Sequence, residues 1–258
     1  MIGLTEEAGQ YAARGYTPTR SAIGYGRFRR FGMPFQITPK ARLSATSPAC
    51  RAVVATRLTS PALEPAALRA LQFAQFTTAG TLDDLDTLRS ALASVDGLEV
   101  SAVVKRIDDP EVVAAYEADR ARARAAAGSP TEFQGKAANT DGAMRYTAPS
   151  LVLDGPDGQR LEAGGFQPIE AYDVVIANLD PTLERRPPAA DPLEVLDAFR
   201  YPLTTAEVAA VMTEHLGIPD MAAAEAGLIT ATGERRVVRQ PAGDGSLWAS
   251  IPASQRPA

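Results

Sequence analysis

Tyr146-Thr147-Ala148-Pro149-Ser150-Leu151-Val152-Leu153 reads as a β-strand with a proline at its entrance. The cluster Asp154-Gly-Pro-Asp-Gly158 that follows is a turn, and Gln159-Arg-Leu-Glu-Ala163 is the return strand. Gly164-Gly165 breaks that strand. From Pro168 to Leu179 the apolar residues Ile169, Tyr172, Val175, Ile176 and Leu179 fall at helical spacing. The order is therefore strand, hairpin, strand, helix. A proline inside a strand loses a ladder hydrogen bond and belongs at an edge, a bulge or a start, so Pro149 calls for an explanation.

Upstream, helix signals dominate. Thr17-Pro18 opens a segment with Ile23, Phe28 and Phe31 on one side and the bases Arg27, Arg29 and Arg30, which ends before Gly32. Those bases suit either an anion patch or a solvated helix face, and the second is the simpler reading. Ser47-Pro48 offers a side-chain cap with proline at the first helical position, and Val53, Val54 and Leu58 form its stripe. Glu64-Pro65 starts a helix with Leu68, Leu71, Phe73 and Phe76 that Gly80 ends. Thr81 with Asp84 resembles a capping box before Leu85, Leu88 and Leu92. Asp96 is placed to cap a short helix with Val103 and Val104. Asp109-Pro110 opens a helix with Val113 and Tyr116 facing inward, which Gly128 stops. Residues 17–128 thus read as an all-helical unit.

Downstream, Pro181, Pro187, Pro188 and Pro192 mark a stiff linker. Thr204-x-x-Glu207 is a capping box ahead of Val208, Val211, Met212 and Leu216, and Pro219 to Gly227 reads as a second helix. Arg235 to Gln240 and Leu247 to Ile251 read as a hairpin.

Composition excludes several chemistries. The 258 residues hold 26 bases and 31 acids, a net charge of −5, and one cysteine, Cys50, with one histidine, His215. One cysteine forms no internal disulfide, no Cys-x-x-Cys pair and no multi-cysteine zinc site. One histidine rules out a His-x-x-x-His signature. No metal site is expected: Asp83, Asp84 and Asp86 sit in a helix's first turn, where acids favour the dipole. The acidic balance argues against nucleic acid and anionic membrane, and no apolar run approaches the roughly 20 residues of a membrane span. Acids at Glu6 and Glu7 stand where a signal peptide needs bases, which points to a cytoplasmic protein.

The stretch from Tyr146 to Leu179, preceded by helices, resembles the C-terminal half of a DsbA-like thioredoxin-fold protein. The resemblance extends to the FrnE-type and 2-hydroxychromene-2-carboxylate isomerase relatives, whose fold is interrupted by a helical domain. It rests on Thr147-Ala148-Pro149-Ser150, the hairpin, Gly164-Gly165-Phe166-Gln167-Pro168 and the closing helix, and covers roughly residues 17–180. It implies a cis Ala148-Pro149 bond facing the active site, with Thr147, Ala148 and Pro149 as substrate-binding residues. Peptide or a small thiol would be the substrate, and glutathione a substrate or co-substrate, with no resident cofactor. The family's nucleophile follows its first strand, and no such strand–helix unit precedes the helices here. The resemblance therefore implies either a truncated protein or a degenerate one.

The fold expected is α/β and mostly α: residues 1–143 an N-terminal remnant and helical insertion, 144–183 the thioredoxin-like half, 184–202 a proline-rich linker, and 203–258 a small module. The module resembles a winged helix. Gly217 to Thr232 contains no Lys or Arg, so a DNA-reading role is disfavoured. Cys50 is the sole candidate nucleophile, although a helix start among Ala49, Ala52 and Val53 suits a packed small residue better. His215 reads as a surface residue at a helix C-terminus. The leading functional reading is an oxidoreductase or isomerase family member lacking its nucleophile, so whether it is an enzyme stays open. The alternatives are a noncatalytic binding or scaffold protein, including a homodimer, and a winged-helix regulator.

Overall fold

The computed structural model describes residues 4–140 and 142–256. About 49% of the described residues are helix and 10% strand, so this is a mostly helical α/β protein with small sheets. In chain order the first helices are α1 (Gly9–Ala13), α2 (Pro18–Phe28), α3 (Ser47–Thr59), α4 (Glu64–Thr77), α5 (Leu85–Leu92) and α6 (Val100–Arg106). Then come α7 (Pro110–Ala123), α8 (Pro130–Phe133), β1 (Ala137–Ala138), β2 (Arg145–Tyr146), β3 (Leu151–Asp154), β4 (Arg160–Ala163) and α9 (Ile169–Leu179). The last elements are α10 (Pro192–Ala198), β5 (Leu203–Thr204), α11 (Thr205–Val211), α12 (Met221–Gly233), β6 (Val237–Ala242) and β7 (Gly245–Ser250).

The chain forms two compact units. One joins Thr5–Asp108 to the chain from Pro187 onward, and the other is Asp109–Arg186 with Leu4. In the first, α3 packs against α4 and α6, and α5 against the same two. Its core holds Val53 and Val54 of α3, Leu71 of α4, Leu88 and Leu92 of α5, and Val103 of α6. Each fully buried Val or Leu contributes about 1.5–3 kcal/mol of transfer free energy.

Several local expectations are corrected here. Ser47 does not cap α3: its hydroxyl donates to the Glu6 carboxylate at 2.6 Å, with the Thr5 carbonyl 3.0 Å away. The cap of α5 is Asp84, whose carboxylate accepts from the Thr87 amide at 2.9 Å, rather than Thr81. The N-cap position of α6 is Glu99 rather than Asp96, and its side chain makes no capping hydrogen bond. On α2, Ile23, Phe28 and Phe31 face solvent, and Ala22 is the buried residue. Tyr25 takes the inward role instead, stacked on Phe35 and edge-on to Phe76.

The C-terminal part of this unit runs helix, strand, helix, helix, strand, strand, with sheet order β5-β7-β6. Pro241 sits in β6, an edge strand, where its missing N–H costs no ladder bond. The helix α10 lies inside the stretch read as a linker. Asp191 accepts from the Leu193 amide, Pro192 starts the helix, and Leu193, Val195 and Leu196 are buried with Val208, Leu228 and Trp248. The helix read as Pro219 to Gly227 starts at Met221, capped by Asp220, and runs on to Gly233.

Three features fix this part against α2 and α4. Arg69 reaches Glu207 and the Pro202 carbonyl. Asp244 accepts from the Phe35 amide at 2.8 Å and pairs with Arg29. Gly243, at φ 55°, brings the β6–β7 turn so close to Phe35 that a Cβ would lie 2.6 Å from its carbonyl carbon.

The second unit carries the hairpin. β3 and β4 pair antiparallel from Leu151↔Ala163 to Asp154↔Arg160, and β1 pairs with β2. Gly158, at φ 77°, closes a type I turn with a bulge, the chemistry a three-residue loop requires. The closing helix α9 packs on β4 yet buries none of its residues; Ile169 is 73% exposed.

Candidate functional site

The segment Thr147-Ala148-Pro149 joins β2 to β3. The Ala148-Pro149 bond is cis, as the resemblance implied. Ala148 and Pro149 are exposed at this junction. Side chains on either side hold it: the Thr147 hydroxyl donates to the Lys136 carbonyl at 2.6 Å, and the Ser150 hydroxyl donates to the Thr147 carbonyl. The Ser150 oxygen also accepts from the Gly165 amide at 2.9 Å, which ties the start of β3 to the end of β4.

The Gly164-Gly165 pair permits close approach. A Cβ at Gly164 would lie 2.4 Å from Thr131 Cγ2, and Gly165 adopts φ +68° against the Lys136 side chain.

Glu162 anchors the same junction from β4. Its carboxylate accepts from the Tyr146 hydroxyl at 2.7 Å, the Thr131 hydroxyl at 2.6 Å and the Thr131 amide at 3.1 Å. Burial pushes this carboxyl up, but the donors from Thr131 and Tyr146 outweigh it and hold it below its ordinary range. Tyr146 moves the other way, raised by burial and by donating to Glu162. These positioning residues went unremarked in the sequence. The available signal was Glu162 standing one register step from Leu161 and Ala163 on a strand, which puts its side chain on the opposite face.

The direction of the backbone groups of β3 follows from the turn. The Gly155 amide donates to the Gln159 carbonyl at 2.7 Å, which makes 155 and 159 a hydrogen-bonded pair. Such pairs alternate with non-bonded ones along an antiparallel ladder. Leu153 and Leu151 therefore bond to β4, and the N–H and C=O of Val152 point away from it. Among the described residues β3 has β4 as its one sheet neighbour. The result is an exposed turn leading into a strand with an open edge, able to accept an extended chain through backbone hydrogen bonds.

The other candidates belong to the other compact unit. Cys50 lies in the first turn of α3, half-buried, with its amide donating to Thr46. His215 is exposed and lies beyond the end of α11. The aspartates after Gly80 are separately engaged: Asp83 with Arg42 and the Ala45 amide, Asp84 with Thr87, Asp86 with Arg89. No group of His, Cys, Asp or Glu suited to a metal ion is found among the described residues. Nor is any described helix long and apolar enough to cross a membrane. Compared with known proteins, the chain matches no family model and no curated sequence.

Proposed function

We propose that this chain is a DsbA-like thioredoxin-fold protein without the family's nucleophile, and that it binds an extended peptide or glutathione at Thr147, Ala148 and Pro149. The observation that carries the reading is the exposed Ala148-Pro149 turn, held from both sides, opening onto the outward-facing backbone of Val152. Strand addition at such an edge gives affinity through main-chain hydrogen bonds and selectivity through alternate side chains. The hairpin, the Gly164-Gly165 break and α9 support the same assignment by their order. Thiol exchange needs an attacking thiolate. A single cysteine, Cys50, supports no dithiol exchange, so the proposed role is binding, and the proposed location is the cytoplasm.

The test is an amide-resolved NMR titration with glutathione and, separately, with an unstructured peptide. Shifts centred on Thr147, Ser150 and Val152 support the reading. Saturable binding that leaves those amides unmoved would overturn it.

A second reading, a noncatalytic scaffold that self-associates, draws on the C-terminal part. Its helix–strand–helix–helix–hairpin order and β5-β7-β6 sheet resemble a winged helix. The hairpin turn is held by Phe35 and Arg29, and α12 carries no base, which favours packing over DNA reading. Sedimentation of the ligand-free protein separates the readings: a tight homodimer favours the scaffold.

A further inference from the structure

We propose that the outer face of α2, with the turn that follows it, docks onto anionic phospholipid membranes. The chain as a whole is acidic, but its charge is segregated. Residues 8–63 contain no Asp or Glu and carry nine of the 26 bases. Elsewhere many surface arginines meet carboxylates, as Arg120 meets Glu117, Arg160 meets Asp154 and Arg185 meets Asp173, although single exposed arginines such as Arg186, Arg200 and Arg235 meet none among the described residues. Along α2, Arg29 pairs with Asp244, whereas Arg20, Arg27 and Arg30 are exposed with no carboxylate partner among the described residues.

Apolar side chains stand between these arginines. Ile23 shares a helix face with Arg20 and Arg27, at spacings of three and four, and is 55% exposed. Phe28 and Phe31, beside Arg30, are 44% and 45% exposed. A bilayer surface takes both kinds of group: guanidinium groups meet lipid phosphates while apolar side chains enter the boundary between headgroups and acyl chains. Single-stranded nucleic acid fits less well, because it needs open ring faces for base stacking. Here the Arg30 guanidinium lies 4.9 Å from the centroid of Phe31, whose ring also meets Phe28 at 6.1 Å. Tyr16 is likewise covered by Arg20 at 5.0 Å and met by Tyr11 at 5.7 Å. An aliphatic Ile23 offers a base nothing to stack on. The net acidity that argued against a membrane partner acts through the whole molecule, whereas a surface within a Debye length meets the local charge.

The experiment is co-sedimentation of the full chain with vesicles of phosphatidylcholine mixed with phosphatidylglycerol, and with pure phosphatidylcholine. Binding to the mixed vesicles at low salt, reversed at high salt and much weaker on the neutral vesicles, is the expected result. The combined Arg20→Gln, Arg27→Gln, Arg30→Gln variant should bind roughly 100-fold more weakly, since each arginine is worth about fivefold at an anionic surface. Ile23→Ser should weaken binding while keeping its salt dependence. All variants should remain folded, the triple variant being only slightly less stable through loss of its two exposed cation–π contacts. No binding to mixed vesicles at low salt, or undiminished binding by the triple variant, would overturn the proposal. So would tighter binding of a single-stranded oligonucleotide to the same face.

Discussion

Arg69 and Glu207, 138 residues apart in sequence, face each other as two parallel hydrogen bonds, Nη1 to Oε1 at 2.7 Å and Nη2 to Oε2 at 2.6 Å. The guanidinium also donates to the Pro202 carbonyl and lies 4.7 Å from the ring centroids of both Phe73 and Tyr201. Glu207 is at the same time the capping-box acid of α11, accepting from the Thr204 amide. One carboxylate thus starts a helix and fastens it to α4.

Arg69→Met removes the pair and leaves Glu207 without its strongest donor. Unfolding in urea, followed by fluorescence of the buried Trp248, should show a loss of about 1.5–3 kcal/mol, the range for charged hydrogen bonds. Unchanged stability would mean that the pair is solvated in solution.

Acid should weaken the same contact. Burial pushes the Glu207 carboxyl up, but Arg69 and Thr204 outweigh it and leave its pKa below the ordinary 4.5. A carboxyl depressed in the folded state stabilises fully above its unfolded pKa, and that stability is lost as pH falls through the folded pKa. Below pH 4.5 the wild type should therefore lose stability faster than Glu207→Gln, as measured by urea midpoints across pH.

Lys40 gives a slope of the opposite origin at alkaline pH. Its ammonium donates to the Gly80 carbonyl, but burial lowers its pKa from 10.5 to about 8. Between those values the unfolded chain binds more protons than the folded one, so this group's contribution to stability rises with pH. The stability difference between wild type and Lys40→Met should accordingly move in favour of the wild type from pH 8 to 10.5. A flat difference would place Lys40 in water.

Gly243→Ala tests the turn of the last hairpin. The position needs φ 55°, and its Cβ would lie 2.6 Å from the Phe35 carbonyl carbon. The left-handed conformation alone costs roughly 1–2 kcal/mol for an L residue. The expected outcome is a lower melting temperature with loss of the Asp244–Phe35 hydrogen bonds, read by slower-to-faster exchange of the Phe35 amide. Retained protection there would contradict the packing.

Two proline variants separate the edges of β3. Val152→Pro removes an outward N–H and should leave the hairpin folded while abolishing peptide or glutathione binding. Leu153→Pro removes a bond to β4 and should melt the hairpin. Circular dichroism and titration calorimetry together distinguish the two, and equal binding by Val152→Pro and wild type would remove the edge from the site.

Much of this was legible because local chemistry decided it. The Asp154–Gly158 turn, the Thr204–Glu207 box and the proline starts of α2, α4 and α7 needed no distant partner. The misread positions are those decided at a distance. Ser47 serves Thr5 and Glu6 rather than its own helix end. The inward face of α2 is chosen by Phe35 and Phe76, which favour Tyr25 over Ile23. In α10 four prolines in thirteen residues suggested a linker, although Asp191-Pro192 carries the same start signal as Asp109-Pro110. At the candidate site the cis Ala148-Pro149 bond was legible from motif order. The Glu162 network was not, since it joins α8, β2 and β4 through side chains far apart in sequence.

Amide hydrogen exchange at Leu151, Val152 and Leu153 tests the central claim, that β3 presents an open edge to an extended ligand. Without ligand, Leu151 and Leu153 should exchange slowly and Val152 fast. With saturating peptide, Val152 should slow to match its neighbours. A Val152 amide already protected in the free protein, or one that stays fast when peptide is bound, would contradict the account.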